Sequence, residues 1–237
     1  MQRIVGQIRK AVDAYNMIDD GDRVAVGISG GKDSLVLAAS LALLSRYYPK
    51  KFEVVGITID MGYESDYSDI KEFCREYGIE YHVKYTKIKE IVFDERKESN
   101  PCSLCSKMRR GALNEYAKEL GCGKVALGHH NDDVLDTFML SLLYEGRVNT
   151  FSPVTVMTRS GITQIRPLIY VREYEVKAIV RERDVPVLKS PCPADGETKR
   201  ADMQEIIEYL GERSGRGIRK RLFHAVSQLP DWKIEKK

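Results

Sequence analysis

The chain reads Ser29-Gly30-Gly31-Lys32-Asp33-Ser34 between two apolar segments, residues 24–28 and 35–44. The first segment is short and β-branched, which is typical of a buried strand, whereas the second is long enough for a helix. A glycine turn from a strand into a helix presents backbone N–H groups and a helix N-terminus to an anion, and Lys32 adds a positive charge. The stretch therefore predicts a phosphate-binding loop.

This loop differs from the P-loop of nucleoside triphosphatases, which needs a glycine, four further residues and then Gly-Lys-Ser/Thr. Here Asp33 follows Lys32, and no glycine lies five residues before Gly31. A carboxylate is compatible with nearby phosphates when a metal ion lies between them, so Asp33 is a candidate Mg²⁺ ligand. The sequence indicates a different class of phosphate loop.

The rest of the pattern alternates between strands and helices. The predicted strands are residues 24–28, 54–60, 79–85, 124–128 and 163–167, and the predicted helices are residues 35–44, 66–77, 103–120, 134–144 and 173–184. Such alternation predicts an α/β fold with a parallel sheet sandwiched by helices. Because ligands of these sheets bind beyond the carboxyl ends of the strands, we expect the phosphate loop, the turn after Asp60 and the segment after Leu127 to meet there.

The C-terminal part of the chain has a different composition. From Pro191 onward it is rich in Arg, Lys and Glu, and residues 203–210 and 218–229 read as helices without a strand between them. We therefore expect residues 1–190 to form the α/β domain and residues 191–237 a small helical segment. Its basic residues are typical either of a surface that follows nucleic-acid phosphates or of a solvated helix face.

Size and composition limit the class of protein. The 237 residues are 43% hydrophobic and carry a net charge of +3. No apolar run reaches the ~18 residues of a membrane span, and the N-terminus lacks the apolar core of a signal peptide. The odd number of cysteines, five, argues against a disulfide framework. We expect a cytoplasmic protein without a membrane partner.

Cys102 and Cys105 form the second strong signal. They lie three residues apart at the start of a predicted helix, where the helix dipole and neighbouring cations are expected to lower the thiol pKa. This spacing is typical of half a zinc site, of a redox-active dithiol or of two ligands of an iron–sulfur cluster. Cys192, which lies between two prolines, is a third candidate ligand. Cys74 and Cys122 fit better as small buried hydrophobic residues.

These motifs together carry a family resemblance. The phosphate loop resembles the signature of the PP-loop ATP pyrophosphatases. With Cys102-x-x-Cys105, Cys192 and the segments 128–133 (Gly-His-His-Asn-Asp-Asp) and 165–173, the chain resembles the tRNA 2-thiolation enzymes, and most of all the TtcA family of 2-thiocytidine synthetases. The similarity runs from about residue 24 to residue 192. One departure is that TtcA proteins commonly carry a second Cys-x-x-Cys where this chain has only Cys192, so the modified nucleoside stays open.

The resemblance implies ATP-dependent thiolation of tRNA. The C2 oxygen of a pyrimidine would be adenylated, sulfur would attack C2, and AMP would leave. By resemblance, the residues that bind ATP are Ser29, Gly30, Gly31, Lys32, Asp33, Ser34, Ile59, Gly128 and Asp133. The implied catalytic residues are Lys32, Asp33, Arg110 and Asp132, with Asp33 and Asp132 holding Mg²⁺. These residues also have purely structural interpretations. Asp132 and Asp133 could cap a helix, and Arg110 could belong to a solvated helix face. The roles of His129 and His130 stay open.

The same resemblance implies a [4Fe-4S] cluster bound by Cys102, Cys105 and Cys192. Its fourth iron would lack a protein ligand and could carry a sulfide. The implied partners are tRNA and a sulfur donor, either a cysteine desulfurase or free sulfide. A homodimer through the C-terminal helices is compatible with the sequence, although no pattern predicts it.

Three alternatives remain open at this point. One is 2-thiouridine synthesis, and a second is a PP-loop tRNA-modifying ligase with zinc at the cysteines. The third is a metal-bearing RNA-binding module without turnover, against which the intact phosphate loop argues.

Overall fold

One six-stranded sheet organises the molecule. The computed structural model describes residues 1–96, 101–189, 191–192, 199–215 and 217–233. The strands are β1 (Asp22–Gly27), β2 (Phe52–Asp60), β3 (Glu80–Tyr85), β4 (Lys124–Ala126), β5 (Val154–Met157) and β6 (Ile162–Ile165). The α-helices are α1 (Gln2–Ala14), α2 (Lys32–Ser45), α3 (Ser68–Tyr77), α4 (Pro101–Glu119), α5 (Asn131–Tyr144), α6 (Glu173–Arg183), α7 (Lys199–Ser214) and α8 (Ile218–Ser227). Shorter turns of π-helix (Glu90–Glu95) and 3₁₀-helix (Pro167–Tyr170 and Pro230–Trp232) complete the description.

The sheet confirms the α/β prediction and corrects it at one edge. The strand order is β3-β2-β1-β4-β6-β5, and the first five strands of that order are parallel. Strand β5, which was not predicted, runs antiparallel to β6. A tight turn that ends at Gly161, with φ of +75°, joins the two strands, and only antiparallel neighbours can be connected so briefly.

Helices cover both faces of the sheet. Helix α2 is buried almost all round, and Leu35, Leu37 and Leu41 pack in the larger core with α1, α5 and α6. On the other face, Leu113 and Ala117 of α4 pack in a separate core. This sandwich buries β1, which places the loop at its carboxyl end in the middle of the molecule.

Several helix boundaries differ from the predicted ones. Helix α1 was not predicted, although Ile4, Ile8 and Ala11 form a buried stripe at helical spacing. Helix α3 begins two residues later than expected because the Asp66 carboxylate accepts a hydrogen bond from the Ser68 N–H at 2.9 Å. Such side-chain contacts decide where helices begin and are difficult to infer from periodicity alone.

The C-terminal helices pack on α5. Met203, Ile207, Val226 and Trp232 are buried in the same core as α5 and α6. The predicted boundary at residue 190 stays a prediction, and Ser190 itself lies outside the described residues. Within the ranges given above, no helix is both long and apolar enough to cross a membrane.

Candidate functional site

The predicted phosphate loop is a turn braced by its own serines. Ser34 Oγ donates to the Gly31 carbonyl at 2.8 Å, and the Ser29 N–H donates to Ser34 Oγ at 3.2 Å. The Gly31 N–H donates to Ser29 Oγ at 3.3 Å. Gly30 has φ of +83°, a conformation that favours glycine. These contacts fix the backbone between β1 and the N-terminus of α2, as an anion-binding loop requires.

The two charged residues of the loop, Lys32 and Asp33, form an ion pair. Lys32 Nζ lies 3.1 Å from carboxylate oxygens of both Asp33 and Glu173. Burial lowers the pKa of Lys32, but these two carboxylates outweigh burial and raise it. The other Asp33 oxygen, Oδ1, is buried and has no hydrogen-bond partner among the described residues. The loop therefore offers a carboxylate oxygen to a cation.

A pocket of about 390 Å³ opens beside the loop. It brings together the loop, the carboxyl end of β2, the segment after β4 and one side of α4, so three predicted motifs do meet. Its walls are formed by Gly27, Ile28, Ser29, Gly31, Asp33, Ser34, Ile57, Ile59, Ser106, Arg109, Arg110, Leu113, Leu127, Gly128, His129, Asp133 and Arg166. The volume is that of a small-ligand site. Gly30, Lys32 and Asp132, which were predicted site residues, lie outside these walls.

Gly128 allows the segment after β4 to touch the loop. A Cβ atom at this position would lie 3.1 Å from the backbone carbon of Asp33 and 3.1 Å from the backbone nitrogen of Ser34. Both atoms belong to the main chain and cannot move aside without displacing the loop. Glycine is thus required here for a steric reason, which the sequence alone did not reveal.

His130 and Asp133 cap α5. The Asp133 N–H donates to His130 Nδ1 at 3.3 Å, and the His130 N–H donates to Asp133 Oδ2 at 2.9 Å. This reciprocal cap starts the helix at Asn131, three residues before the predicted start. Asp133 also faces the pocket, and burial raises the pKa of its carboxyl group. The cap and the pocket role predicted for Asp133 are therefore compatible.

Asp132 lies behind the pocket in a buried ion-pair cluster. Its Oδ1 is 2.7 Å from Nη1 of Arg219 on α8 and 3.1 Å from Nε of Arg172. Its Oδ2 accepts a hydrogen bond from the Glu173 N–H at 2.8 Å. Both carboxylate oxygens are thus engaged by groups of α6 and α8, which gives Asp132 a framework role. Its predicted catalytic role stays a prediction.

The wall of the pocket that contains Arg166 and Arg110 is positively charged. The Arg166 side chain is 7% exposed, and its Nη1 donates to the Ser152 carbonyl at 2.6 Å and to Thr155 Oγ1 at 3.0 Å. Burial, together with the nearby charge of Arg110, lowers the pKa of Arg166 to about 10. In the chain as far as it is described, no carboxylate pairs with Arg166. A buried cation without a carboxylate is costly, so this wall suits an anion.

His129 completes that wall as a neutral imidazole. Burial first, and the charge of Arg166 second, lower its pKa to about 3. Its ring lies on Phe151 with the ring centres 4.9 Å apart. Sequence reasoning left His129 without a role and quoted Arg166 only as part of a family motif. The signal that could have identified Arg166 is a charged residue directly after the last buried strand.

Cys102 and Cys105 lie at the start of α4, next to the pocket. Cys102 is exposed, while Cys105 and Cys192 are half-buried. The Cys105 thiol lies in electrostatic range of both Cys192 and Cys102. Burial raises the pKa of Cys105 more than Arg109 lowers it, so the expected lowering of its pKa was wrong. The assignment of Cys102, Cys105 and Cys192 to one shared ligand set stays a prediction.

The spacing of these thiols differs from that of a single-ion site. Within the described ranges, no three His, Cys, Asp or Glu side chains are close enough to hold one metal ion. Cys74 and Cys122 are buried elsewhere, and burial raises the pKa of Cys74 to about 12. Residues 193–195 lie outside the described residues.

Comparisons with known proteins agree with this geometry. A PP-loop domain model matches residues 2–208. A protein of Citrifermentans bemidjiense named tRNA-cytidine(32) 2-sulfurtransferase is 38% identical over 231 residues, which cover 96% of this chain and 90% of the relative. A relative of the same name from Geobacter metallireducens is 36% identical over 232 residues, with 96% and 90% covered.

A solved structure is similar over nearly the whole chain. The U34-tRNA thiolase NcsA from Methanococcus maripaludis, solved with its [4Fe-4S] cluster, superposes with a TM-score of 0.72 at 27% identity. The match covers 94% of this chain and 78% of the thiolase. Since the family model and the curated relatives both span most of the sequence, the chain belongs to the PP-loop family, in the group of tRNA 2-thiolation enzymes.

Proposed function

We propose that this protein is an ATP-dependent tRNA sulfurtransferase that replaces the C2 oxygen of a cytidine with sulfur. The observation that carries the proposal is the shared pocket. The phosphate loop forms one side, and Ser106, Arg109 and Arg110 form another, on the helix that begins beside Cys102 and Cys105. An activated oxygen and a sulfur source would meet in one space. The names of the curated relatives support cytidine as the target.

The loop would hold the phosphates of ATP. Backbone N–H groups at Asp33 and Ser34 lie in the first turn of α2, where the helix dipole favours negative charge. Ile59, at the end of β2, lines the same pocket and would contact adenine through its backbone. Lys32 would reach a phosphate after leaving Asp33 and Glu173, which it contacts in the ATP-free protein.

Mg²⁺ would be held by Asp33. The fit rests on the buried Oδ1 of Asp33, which has no hydrogen-bond partner among the described residues and lies 3.7 Å from Nε2 of His130, and on Asp133, which lines the same pocket. Oxygen ligands of this kind are those that Mg²⁺ prefers, and the bound cation would neutralise the pyrophosphate. Asp132, with both oxygens engaged by arginines and a backbone N–H, would contribute by holding α5 in place.

Arg110 and Arg166 would stabilise the adenylated nucleotide. The C2 oxygen attacks the α-phosphorus, pyrophosphate leaves, and sulfur then attacks C2 as AMP departs. Each step places negative charge on the α-phosphate. Arg166, fixed on the pocket wall by its hydrogen bonds to Ser152 and Thr155, favours that charge without reorganising, and Arg110 adds a second positive charge to the same pocket. Neutral His129, whose ring is tilted by 36° against that of Phe151, would offer an aromatic surface to the pyrimidine.

Cys102, Cys105 and Cys192 would hold a [4Fe-4S] cluster at the mouth of the pocket. The fit rests on the chemistry of the donor set, three cysteine thiols, of which Cys105 lies in electrostatic range of the other two. A cluster with three cysteine ligands supplies an iron that is open to a sulfur species. The cluster in the similar U34-tRNA thiolase supports this assignment.

tRNA would contact the basic residues of the C-terminal helices. Lys220 and Arg221 of α8 are exposed, and α8 is tied to the pocket segment through Arg219 and Asp132. Such cations can follow a phosphate backbone. The sulfur donor and a homodimer stay predictions. An enzyme that acts on tRNA would work in the cytoplasm.

One reaction tests the proposal. Anaerobically purified protein is incubated with ATP, Mg²⁺, sulfide and tRNA that lacks 2-thiocytidine, and both nucleotides and digested nucleosides are quantified. We expect AMP and pyrophosphate, no ADP, and 2-thiocytidine in the tRNA. Cys105→Ser should lose iron and thiolation, while the matched control Cys122→Ala should keep both. AMP formation without any thionucleoside would contradict the proposal.

A second candidate, thiolation of uridine, is favoured by the structural similarity to the U34-tRNA thiolase. The nucleoside analysis separates the two, because 2-thiouridine and 2-thiocytidine differ in mass and retention. Thiouridine alone would assign the activity to uridine and leave the pocket chemistry unchanged.

A further inference from the structure

A second pocket, of about 330 Å³, lies beside the phosphate loop and along α6. We call it the α6 groove. Its lining consists of three cationic side chains, one aromatic and one aliphatic, which belong to Lys32, Tyr174, Lys177, Val180 and Arg181. Lys32 is part of the phosphate loop, and its two neighbours, Gly31 and Asp33, line the nucleotide pocket. The α6 groove therefore borders the place where ATP would bind.

The cations of the α6 groove outnumber their carboxylate partners. Lys32 and Lys177 share one partner, since both Nζ atoms lie 3.1 Å from Oε1 of Glu173. Lys32 also contacts Asp33, the candidate Mg²⁺ ligand, at 3.1 Å. Arg181 is exposed and forms no ion pair with any residue that the structure describes. The groove thus has a net positive charge and suits an anion.

Tyr174 adds an exposed aromatic ring to these cations. The residue is 57% exposed, and the guanidinium carbon of Arg172 lies 5.7 Å from the centre of its ring. Tyr174, Lys177 and Arg181 follow one another at intervals of three and four residues, so they lie on one face of α6. Cations that bind phosphates, next to an aromatic ring on which a base can stack, are typical of surfaces that bind unpaired RNA.

We infer that the α6 groove binds an unpaired segment of the tRNA, with Lys177 and Arg181 on its phosphates and Tyr174 against a base. The inference rests on the proposed function, since it concerns the substrate of that reaction, and it adds a second contact surface to the basic residues of α8. A base that reacts inside a pocket has to leave its stack. The nucleotides beside it then pass close to the phosphate loop, which the groove borders.

The test measures binding of tRNA to the full chain by fluorescence anisotropy, without ATP, from about 50 to 200 mM KCl. The variant Lys177→Gln/Arg181→Gln is compared with Lys71→Gln/Arg75→Gln, which removes two exposed cations at the same spacing from α3. We expect Kd to rise about tenfold in the α6 variant only. Its dependence of log Kd on log salt should become shallower by about 1.4–1.8, because each phosphate contact contributes about 0.7–0.9.

A second variant tests the aromatic ring. Tyr174→Leu should raise Kd about fivefold and leave the salt dependence unchanged, since stacking of a base neutralises no charge. The affinity for ATP, measured by calorimetry, should be the same in all variants. This readout separates RNA phosphates from those of the nucleotide.

The inference would be overturned if the α6 variant bound tRNA with the affinity and salt dependence of the original protein. It would also be overturned if the variant lost affinity for ATP alone, since the groove would then hold nucleotide phosphates. A protein that bound tRNA through the groove but formed no thionucleoside would refute the proposed function and leave the inference standing.

Discussion

Asp132→Asn tests whether Asp132 stabilises the framework of the pocket. The Asp132 side chain is 7% exposed, that of Arg219 18% and that of Arg172 34%. Asparagine keeps the volume but removes the charge, which leaves two arginines without their carboxylate. Removal of one partner from a fully buried ion pair costs about 3–5 kcal/mol. Because Arg172 is one-third exposed, its guanidinium can be hydrated in the variant. We therefore expect a loss at the lower end of this range, about 3 kcal/mol of unfolding free energy.

That loss should be visible in thermal unfolding. For a domain of about 150–250 residues, each kcal/mol lowers Tm by roughly 2–4 °C, so we expect a drop of about 6–12 °C. Circular dichroism of the ATP-free, Mg²⁺-free protein measures it. Lys220→Met, an exposed neighbour of Arg219, is the matched control and should change stability by less than about 0.5 kcal/mol.

Arg219→Met should cost less than Asp132→Asn. In this variant, Asp132 keeps Arg172 and the Glu173 N–H, so we expect about 1–2 kcal/mol. If Asp132→Asn left Tm unchanged while ATP cleavage was lost, the framework role would be refuted. Asp132 would then act as a metal ligand, and its ion pairs with Arg172 and Arg219 would not contribute to the free energy of unfolding.

Three further predictions concern other residues. Asp33→Asn should lower the rate of pyrophosphate release about 100-fold or more, because it removes the candidate Mg²⁺ ligand, and should leave Tm nearly unchanged. Gly128→Ala should weaken ATP binding measured by calorimetry, since the new Cβ displaces the loop backbone at Asp33. Burial raises the pKa of Asp136 to about 6. Ionisation of the buried Asp136 carboxyl group therefore lowers the free energy of unfolding above pH 6. We expect Asp136→Asn to raise that free energy by about 1–3 kcal/mol at pH 8, measured by urea unfolding. This difference should vanish below pH 4.

The sequence was most informative where a local signal was sufficient. The phosphate loop between β1 and α2 could be predicted because strand, glycines and helix are contiguous in the chain. Gly128 could be placed beside it because parallel strands end at the same edge, whereas Ile59 was assigned from the family resemblance. The fold class followed from the same alternation. Helix α1 was missed, although its apolar residues are spaced as a helical stripe, because charged residues interrupt them.

Contacts between distant residues could not be predicted. The ion pair of Asp132 and Arg219 joins residues 87 positions apart, and no local pattern distinguishes that carboxylate from its neighbour Asp133. The same holds for Arg166, whose position on the pocket wall depends on Ser152 and Thr155 of the β5 edge. That edge strand is short and partly exposed, so its alternation is weak.

The claim at the centre of this account is that ATP activates the C2 oxygen of the tRNA base inside the shared pocket. The most direct measurement uses tRNA whose target cytidine carries ¹⁸O at C2, with ATP, Mg²⁺ and sulfide, followed by mass spectrometry of the AMP. The account predicts one ¹⁸O atom in AMP for each thionucleoside formed. Thionucleoside formation with unlabelled AMP would contradict adenylation of the base.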